Sequence, residues 1–384
     1  MMPDFATRQH LIDRVLQLQD IKSEPDDDKK LRKLILNVVL DHYSGSRLGV
    51  LDLQAIVDRL FHAMRGLDVL QPLMDDPAVT EIMVNGPHQV FIEISGRITP
   101  SPLQFDHADH LAGMISRYFG QANRLINEKE PIASLRLPDG CRVHAVLPPV
   151  APEGPVLSIR KFTGVRPELP ELVQVGFLSQ AEADFLSAAV KARQNLFISG
   201  GTGTGKTTFL NALSASIPRQ ERVITIEDSA ELDLKDLPNR VRLESRQPGP
   251  DQRGAISLGA LIQSALRMRP DRILVGEVRG AEVFAMLQAM NTGHPGSMST
   301  GHANSALEML ERLGLMVLME IHLPWDAIVR LVSSALQLIV HLERSPEGIR
   351  RVNQICRVKT GSGSGFELEP VLVSNWQERS IHDD

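Results

Sequence analysis

The sequence predicts an α/β protein in which a mainly parallel β-sheet wrapped by helices follows a smaller α+β domain and a helical segment. The first observation is a glycine-rich run, Ser199–Thr208, between an apolar strand-like stretch and a helical pattern. The second is the alternation of short apolar runs with helical patterns after residue 195. The third is a group of short β-rich runs separated by turn residues between positions 67 and 162.

The first segment, residues 1–66, is predicted to be helical. Apolar residues recur at helical spacing over 5–18, 31–39 and 53–64. The acidic stretch Glu24–Asp28 is expected to be a solvated loop. A small helical bundle explains this pattern, and a docking element for a partner is the alternative.

The second segment, residues 67–162, is predicted to be the α+β domain. Asn85-Gly86-Pro87 and Leu137-Pro138-Asp139-Gly140 are turn sequences that separate its strands. One glycine and two prolines between Phe162 and Val175 predict a linker, which we place at 163–178. The predicted strands are Thr80–Val84, Val90–Ile94, Arg142–Leu147 and Val156–Lys161, and the predicted helix is His107–Phe119.

The third segment, residues 179–384, is predicted to hold the parallel sheet. It begins with a helix, Ser179–Arg193, that leads into the strand before the glycine-rich run. Because strands then recur between helices, a parallel sheet is expected. The further predicted strands are Val223–Ile226, Val241–Glu244, Ile273–Val275, Ser297–Thr300, Ile349–Val358 and Phe366–Val373.

Composition narrows the class of protein. The net charge is −6 and aromatic residues make up 4% of the chain, which disfavours a surface that coats or stacks on nucleic acid. The two cysteines have no C-x-x-C partner, so neither a zinc ribbon nor a disulfide framework is expected. The first residues lack the apolar region of a signal peptide, and we expect a cytoplasmic protein.

The glycine-rich run matches a phosphate-binding loop. Gly200, Gly205, Lys206 and Thr207 fit G-x-x-x-x-G-K-[ST] at every fixed position. Glycines let backbone N–H groups converge on an anion, and the helix that follows adds partial positive charge. Lys206 can reach the β- and γ-phosphates of ATP, and the Thr207 hydroxyl can bind Mg²⁺. The alternative is a glycine turn that binds nothing. The residues predicted to hold the nucleotide are Gly201, Thr202, Gly203, Thr204, Gly205, Lys206, Thr207 and Thr208.

Two further apolar strands end in carboxylates. Since parallel sheets place ligand sites at the carboxyl ends of strands, Glu227 is positioned to orient or deprotonate a water that attacks the γ-phosphate. Asp228 or Glu231 could instead cap a following helix. The strand before Glu277 resembles a Walker B strand, and this carboxylate can hold Mg²⁺ directly or through water.

Two histidines and several arginines are candidates for supporting roles. His294 and His302 flank a predicted strand beside glycine turns, and we interpret His302 as a γ-phosphate sensor or coupling residue, with a structural role as the alternative. No third ligand at suitable spacing accompanies the histidines, so a metal site there is not expected. The arginines could stabilise phosphate charge or form ordinary surface ion pairs. They are Arg136, Arg142, Arg160, Arg267, Arg269 and Arg279.

Several of these stretches resemble the type II/type IV secretion ATPase superfamily. Ile226-Glu227-Asp228 with Glu231-Leu232 resembles its Asp box, Leu274–Glu282 its atypical Walker B and Asn291–Asn304 its His box. Further stretches resemble the CpaF/TadA branch, which powers the Tad (Flp) pilus machinery. They are Thr80–Gly86, Leu135–Gly140 and Ser158–Phe162.

The resemblance implies a hexamer of two-domain subunits that hydrolyses ATP and works on an inner-membrane platform protein from the cytoplasmic side. A PAS-like N-terminal domain precedes a RecA-like motor domain, with ATP between them. It also implies roles for single residues. Lys206 and Thr207 bind phosphate and Mg²⁺, Glu227 is the catalytic carboxylate, Glu277 supports the metal and the water, and His302 couples the site to the subunit interface. Arg142 and Arg160 approach the nucleotide from the N-terminal domain.

One departure from the family pattern carries a structural expectation. Gly301 stands where a bulkier residue is usual, which is expected to loosen the end of its strand. Two other functions stay open at this point. One is a nucleic-acid translocase on the same core, and the other is a nucleotide-binding scaffold without catalysis.

Overall fold

The chain forms two compact units, residues 1–163 and 164–384. Each is described here by itself. The computed structural model describes residues 3–18, 28–45, 48–94, 96–122, 124–137, 140–161, 167–246, 254–345, 348–361 and 365–372. None of the helices in these ranges is long and apolar enough to cross a membrane.

The first unit begins with three helices, as predicted. They bury Leu11, Ile35 and Leu60 in a core of their own. The acidic stretch before residue 28 lies outside the described residues, and Asp28 itself is the first residue of a helix. The helices are α1 (Phe5–Leu18), α2 (Asp28–His42) and α3 (Val50–Arg65), followed by a short 3₁₀ turn, Asp68–Leu70, and α4 (Gln71–Asp75).

The rest of the first unit is a six-stranded antiparallel sheet with one long helix. The strand order is β3-β2-β1-β6-β5-β4. The predicted strands and helix are confirmed, but β3 and β4 were not predicted. Every residue of β3 is exposed, so this edge strand carries no burial pattern. The elements are β1 (Val79–Asn85), β2 (Val90–Ile94), β3 (Arg97–Pro100), α5 (Ala108–Gln121), β4 (Ile132–Arg136), β5 (Arg142–Val146) and β6 (Val156–Arg160).

The second unit opens with a helix inside the range proposed as a linker. α6 (Leu169–Gln174) buries Leu172 in the same core as α7 (Gln180–Lys191). Its start carries a capping box between Glu168 and Glu171 with a proline in the first turn. That sequence is a helix-start signal, so the prolines mark a helix N-terminus here rather than a structureless connection.

The predicted parallel sheet is present and has eight strands. The order is β14-β13-β12-β7-β11-β10-β8-β9, in which the six strands from β12 to β9 are parallel and the last two are antiparallel. The elements after α7 are β7 (Leu196–Gly200), α8 (Lys206–Ser214), β8 (Val223–Glu227), β9 (Arg240–Glu244), α9 (Leu258–Ala265), β10 (Arg272–Val275), α10 (Glu282–Asn291), β11 (Met298–His302), α11 (Ala306–Leu318), α12 (Trp325–Ala335), β12 (Leu338–Arg344), β13 (Arg350–Thr360) and β14 (Phe366–Leu372).

Both faces of the central strands are buried, which explains why β7, β8 and β10 are largely continuous apolar runs. Along β7, Leu196 and Ile198 contribute to the core that contains α7 and α8, whereas Phe197 contributes to the core that contains α9 to α12. Strand β12 was not predicted because the run Leu331–Val340 combines the end of α12 with the start of β12. Periodicity alone does not divide such a run.

Candidate nucleotide site

The loop between β7 and α8 has the backbone that its glycines predict. Gly200, Gly203 and Gly205 have φ angles of +157°, +72° and +92°. A Cβ atom on Gly200 would lie 2.6 Å from the carbonyl oxygen of Leu342 on the neighbouring strand, so only glycine fits there. Thr204 is buried and its Oγ1 donates to the carbonyl of Gly201 over 3.0 Å, which closes the loop on itself.

Lys206 is the first residue of α8 and is buried. Its Nζ donates to the carbonyls of Gly200, over 3.0 Å, and Gly201, over 2.7 Å. The same atom lies 3.2 Å from Nδ1 of His302. The lysine is therefore held inside the curve of the loop, within reach of an anion placed there.

His302 connects the lysine to the carboxylate that follows β10. Its Nε2 lies 2.8 Å from Oε1 of Glu277, although the approach is not aligned as a hydrogen bond. Burial lowers the pKa of His302, and Lys206 adds to this while Glu277 opposes it. Because an ammonium can only donate, Nδ1 accepts from Lys206 and the ring proton is on Nε2, facing Glu277. Arg279 donates from Nη2 to Oε2 of Glu277 over 2.7 Å.

Glu227 ends β8 and is buried to 3% exposure. Its Oε1 accepts hydrogen bonds from the backbone N–H groups of Glu231, over 2.8 Å, and Leu232, over 3.0 Å. Among the described residues, its buried Oε2 has no hydrogen-bond partner. Burial raises the pKa of Glu227, and the two backbone donors reduce the rise. One oxygen is thus anchored, while the other is buried and makes no hydrogen bond within the described residues.

The helix-cap alternative for Asp228 and Glu231 is wrong. No helix begins among residues 228–239, all of which the structure describes. Asp228 accepts from Oγ of Ser245 over 2.9 Å, and the backbone of Glu231 serves to hold the Glu227 carboxylate.

The strand ends bring the predicted residues of the second unit together. His302 pairs with Gly200 across β11 and β7, and the N–H of Gly276, just before Glu277, donates to Ile226 over 2.9 Å. A cavity of about 560 Å³ adjoins the loop. Its lining includes Gly201, Thr202 and His302, together with Glu308, Glu311 and Arg312 of α11.

Gly301 does not loosen its strand. It pairs with Ser199 of β7, and β11 continues through His302. A Cβ at position 301 would lie 2.9 Å from Sδ of Met309 and 3.0 Å from Cε1 of Phe197. The expectation is wrong because neighbouring side chains already fill the space that a bulkier residue would take.

The other residues predicted to bind the nucleotide are two threonines of α8 and two arginines of the first unit. Thr207 is half-buried in the first turn of α8, and Thr208 beside it is exposed. Arg142 and Arg160 face each other in register on β5 and β6 of the first unit, where Nε of Arg160 lies 3.5 Å from Oε1 of Glu81. Their role at the nucleotide stays a prediction.

Two residues beside the loop were not predicted. Buried His341 of β12 lies with Nδ1 2.9 Å from Oγ of Ser199, the residue before the loop. Arg344, at the end of β12, has its guanidinium against Gly203. No motif marks either residue, because their positions depend on β12 pairing with β7, a strand more than 130 residues earlier in the chain.

The parallel sheet, the glycine loop and the converging carboxylates define the second unit as a P-loop nucleotide-binding domain of the RecA-like class. The family model described as "Type II/IV secretion system protein" matches residues 64–365, and the chain belongs to this family. The predicted fold class, with an N-terminal domain before a RecA-like domain, is confirmed.

Relatives and a solved structure agree with this assignment. The chain is 38% identical over 328 residues to the type IV secretion system protein PtlH of Bordetella pertussis, covering 78% of this chain and 94% of PtlH. It is 34% identical over 320 residues to VirB11 of Brucella suis, covering 75% of this chain and 88% of VirB11. The pilus retraction motor PilT with bound ADP matches in fold, with a TM-score of 0.52, 22% identity, and coverage of 81% of this chain and 84% of PilT.

Proposed function

We propose that this protein is an ATPase that converts ATP hydrolysis into mechanical work in a secretion or pilus machine. The observation that carries the proposal is the connection from the loop lysine through His302 to Glu277, beside a buried carboxylate with one oxygen unpartnered among the described residues. A site that only stored a nucleotide would need the loop but not this set of acid and base groups.

The residues fit the chemistry of phosphoryl transfer to water. Lys206 would turn from the loop carbonyls to the phosphates of ATP, since it is already held within the loop. Oε2 of Glu227 would accept the proton of the water that attacks the γ-phosphorus, and the raised pKa brings this carboxylate closer to the working pH of a general base. The products are ADP and inorganic phosphate.

The donor set also fits Mg²⁺, a hard cation that prefers oxygen ligands. The Thr207 hydroxyl and the Glu277 carboxylate would hold it, the latter directly or through water. With ATP bound, the cation would neutralise charge on the phosphates.

The finer assignment is to the CpaF/TadA branch, supported by Thr80–Gly86, Leu135–Gly140 and Ser158–Phe162. On this proposal the active form is a homohexamer at the inner face of the cytoplasmic membrane. It drives a platform protein of a Tad or type IV-like pilus, or of a secretion system. Arg142 and Arg160 reach the nucleotide from the first unit. Names of the relatives support a secretion or pilus setting.

Phosphate release from size-fractionated protein tests the proposal, with and without membranes that contain the platform protein. We expect the hexamer-sized fraction of the wild type to release phosphate. Lys206→Ala should bind nucleotide about 10- to 100-fold more weakly, because a charged donor to phosphate is removed. Lys191→Ala, at the exposed end of α7, is the matched control and should behave like the wild type. Binding of ATP without phosphate release in every fraction would instead support a scaffold.

A further inference from the structure

Two arginines of the hairpin formed by β12 and β13 lie beside the phosphate-binding loop. Arg344 is the final residue of β12, and Arg350 is the first residue of β13, and the two are paired in register. β12 runs parallel to β7, so the hairpin leaves the sheet at the same edge as the loop. Neither arginine belongs to the set considered from the sequence.

The Arg344 guanidinium lies between two glycines. A Cβ on Gly203 of the loop would lie 3.3 Å from its Nη1, and a Cβ on Gly348 of the hairpin would lie 3.8 Å from its Nη2. Both glycines have positive φ, +72° and +89°. Because neither residue carries a side chain, the planar group can approach the loop backbone on one side and the hairpin on the other.

Arg350 lies beside the same loop, at a glycine two residues after Gly203. A Cβ on Gly205, the residue that caps α8, would lie 4.0 Å from Cδ of Arg350. The loop therefore has both arginines beside it, in addition to Lys206 and the positive end of α8. Of the two arginines, Arg344 brings its guanidinium to the loop, whereas the contact of Arg350 is made by the Cδ atom of its side chain.

We propose that Arg344 binds the phosphate chain of the nucleotide. Part of the positive charge that arginines supply to the phosphates then comes from the same unit as the loop. This inference rests on the proposed function, since it requires a nucleotide at the loop. A guanidinium presents several donors in one plane and suits phosphate oxygens better than a second lysine. The half-buried position of Arg344 limits solvent screening of that interaction.

The test measures binding of Mg²⁺–ADP and of pyrophosphate to the full-length protein by calorimetry. We expect Arg344→Ala to weaken both by about tenfold or more, since one charged donor to phosphate is lost in each case. Arg344→Lys should recover part of the affinity, because it keeps the charge but not the fork. Arg357→Ala is the control, an exposed arginine at the far end of the same hairpin, opposite Leu338.

The outcomes separate this inference from the proposed function. If Arg344→Ala bound ADP within twofold of the wild type while Lys206→Ala lost binding, the role of Arg344 would be overturned and the proposed function would stand. Weaker ADP binding with unchanged pyrophosphate binding would also overturn it, because the contact would then be to the base or the ribose. A lower unfolding temperature of the nucleotide-free variant, with equal losses in Arg344→Ala and Arg344→Lys, would show a structural role. Wild-type protein that binds neither probe would remove the proposed function itself.

Discussion

Nδ1 of His302 lies 3.2 Å from Nζ of Lys206, while the opposite nitrogen of the ring lies 2.8 Å from Oε1 of Glu277. The imidazole therefore connects the lysine proposed to bind the phosphates with the carboxylate that follows β10. If Lys206 turns toward a phosphate, as proposed, its contact with His302 would be lost. We infer that His302 senses whether a phosphate occupies the loop, as the sequence suggested. Its contact with Glu277 would then change when the loop is occupied.

Replacement of His302 should change how stability depends on pH. Burial lowers the folded pKa of His302 below its ordinary value of about 6.5. Below about pH 6.5 the unfolded chain binds a proton that the folded chain does not, so the free energy of unfolding declines as pH falls toward the folded pKa. His302→Gln should show a smaller decline between about pH 7.5 and 5.5, measured by urea unfolding.

The control for this measurement is His322→Gln, an exposed histidine on the loop after α11. His341, whose pKa burial also lowers, contributes equally to all three proteins and cancels in the comparison. If His302→Gln and the wild type lost the same stability on acidification, the neutral ring between Lys206 and Glu277 would be refuted.

Glu227→Gln should separate ATP binding from hydrolysis. An amide oxygen can still accept from the N–H groups of Glu231 and Leu232, so the local backbone should keep its form. The amide cannot take a proton from water, and turnover should fall by about 100- to 10,000-fold. Phosphate release and nucleotide titration measure the two effects on the same sample.

The matched variant is Glu244→Gln, the exposed partner of Glu227 in register on β9. It makes the same chemical change beside the site and should leave turnover near the wild-type value. Equal turnover in Glu227→Gln and Glu244→Gln would exclude Glu227 as the base.

Strand ends explain which site residues the sequence could reveal. Glu227, Glu277 and His302 each lie at or just after a buried parallel strand, and such ends converge at one edge of a sheet, so local patterns sufficed. Arg344 and His341 reach the loop through pairing of β12 with β7, and the pairing partner cannot be inferred from local spacing. α6 escapes prediction for another reason, because prolines are typical both of linkers and of helix starts, and here Glu168 and Glu171 cap a helix.

Substitution of Gly301 tests the packing next to His302 in β11. Gly301→Ala places a methyl group within 3.0 Å of Met309 and Phe197, both fully buried, and should cost about 1–3 kcal/mol of unfolding free energy. Gly113→Ala in α5 meets nothing within 4 Å and should stabilise by about 0.5–1 kcal/mol. Adding Met309→Ala should relieve part of the Gly301→Ala clash. If Gly301→Ala did not lower the free energy of unfolding, or raised it as Gly113→Ala should, the tight fit would be contradicted.

Arg272 supports the sheet from the end opposite the site. Its side chain is fully buried, with Nε and Nη2 donating to Glu221 and Nη1 donating to the carbonyl of Val190 over 2.7 Å. Arg272→Met leaves the buried Glu221 carboxylate with Arg193 as its remaining ion-pair partner among the described residues, and Nε of Arg193 donates to its Oε1 over 3.2 Å. The free energy of unfolding should fall by about 3–5 kcal/mol, measured by urea unfolding.

An exposed ion pair gives the contrast for that prediction. Arg330 and Asp326 are 2.9 Å apart on α12 with side chains 64% and 51% exposed, so Arg330→Met should cost at most about 1 kcal/mol. Adding Glu221→Gln to Arg272→Met removes the buried charge and should recover part of the loss, because part of the cost comes from a buried carboxylate that has lost one of its two arginine partners. If Arg272→Met cost no more than Arg330→Met, the buried pair of Arg272 and Glu221 would not be a main stabilising contact of the sheet. Nucleotide binding by the folded fraction should persist in all three variants, since Arg272 begins the strand whose other end carries Glu277.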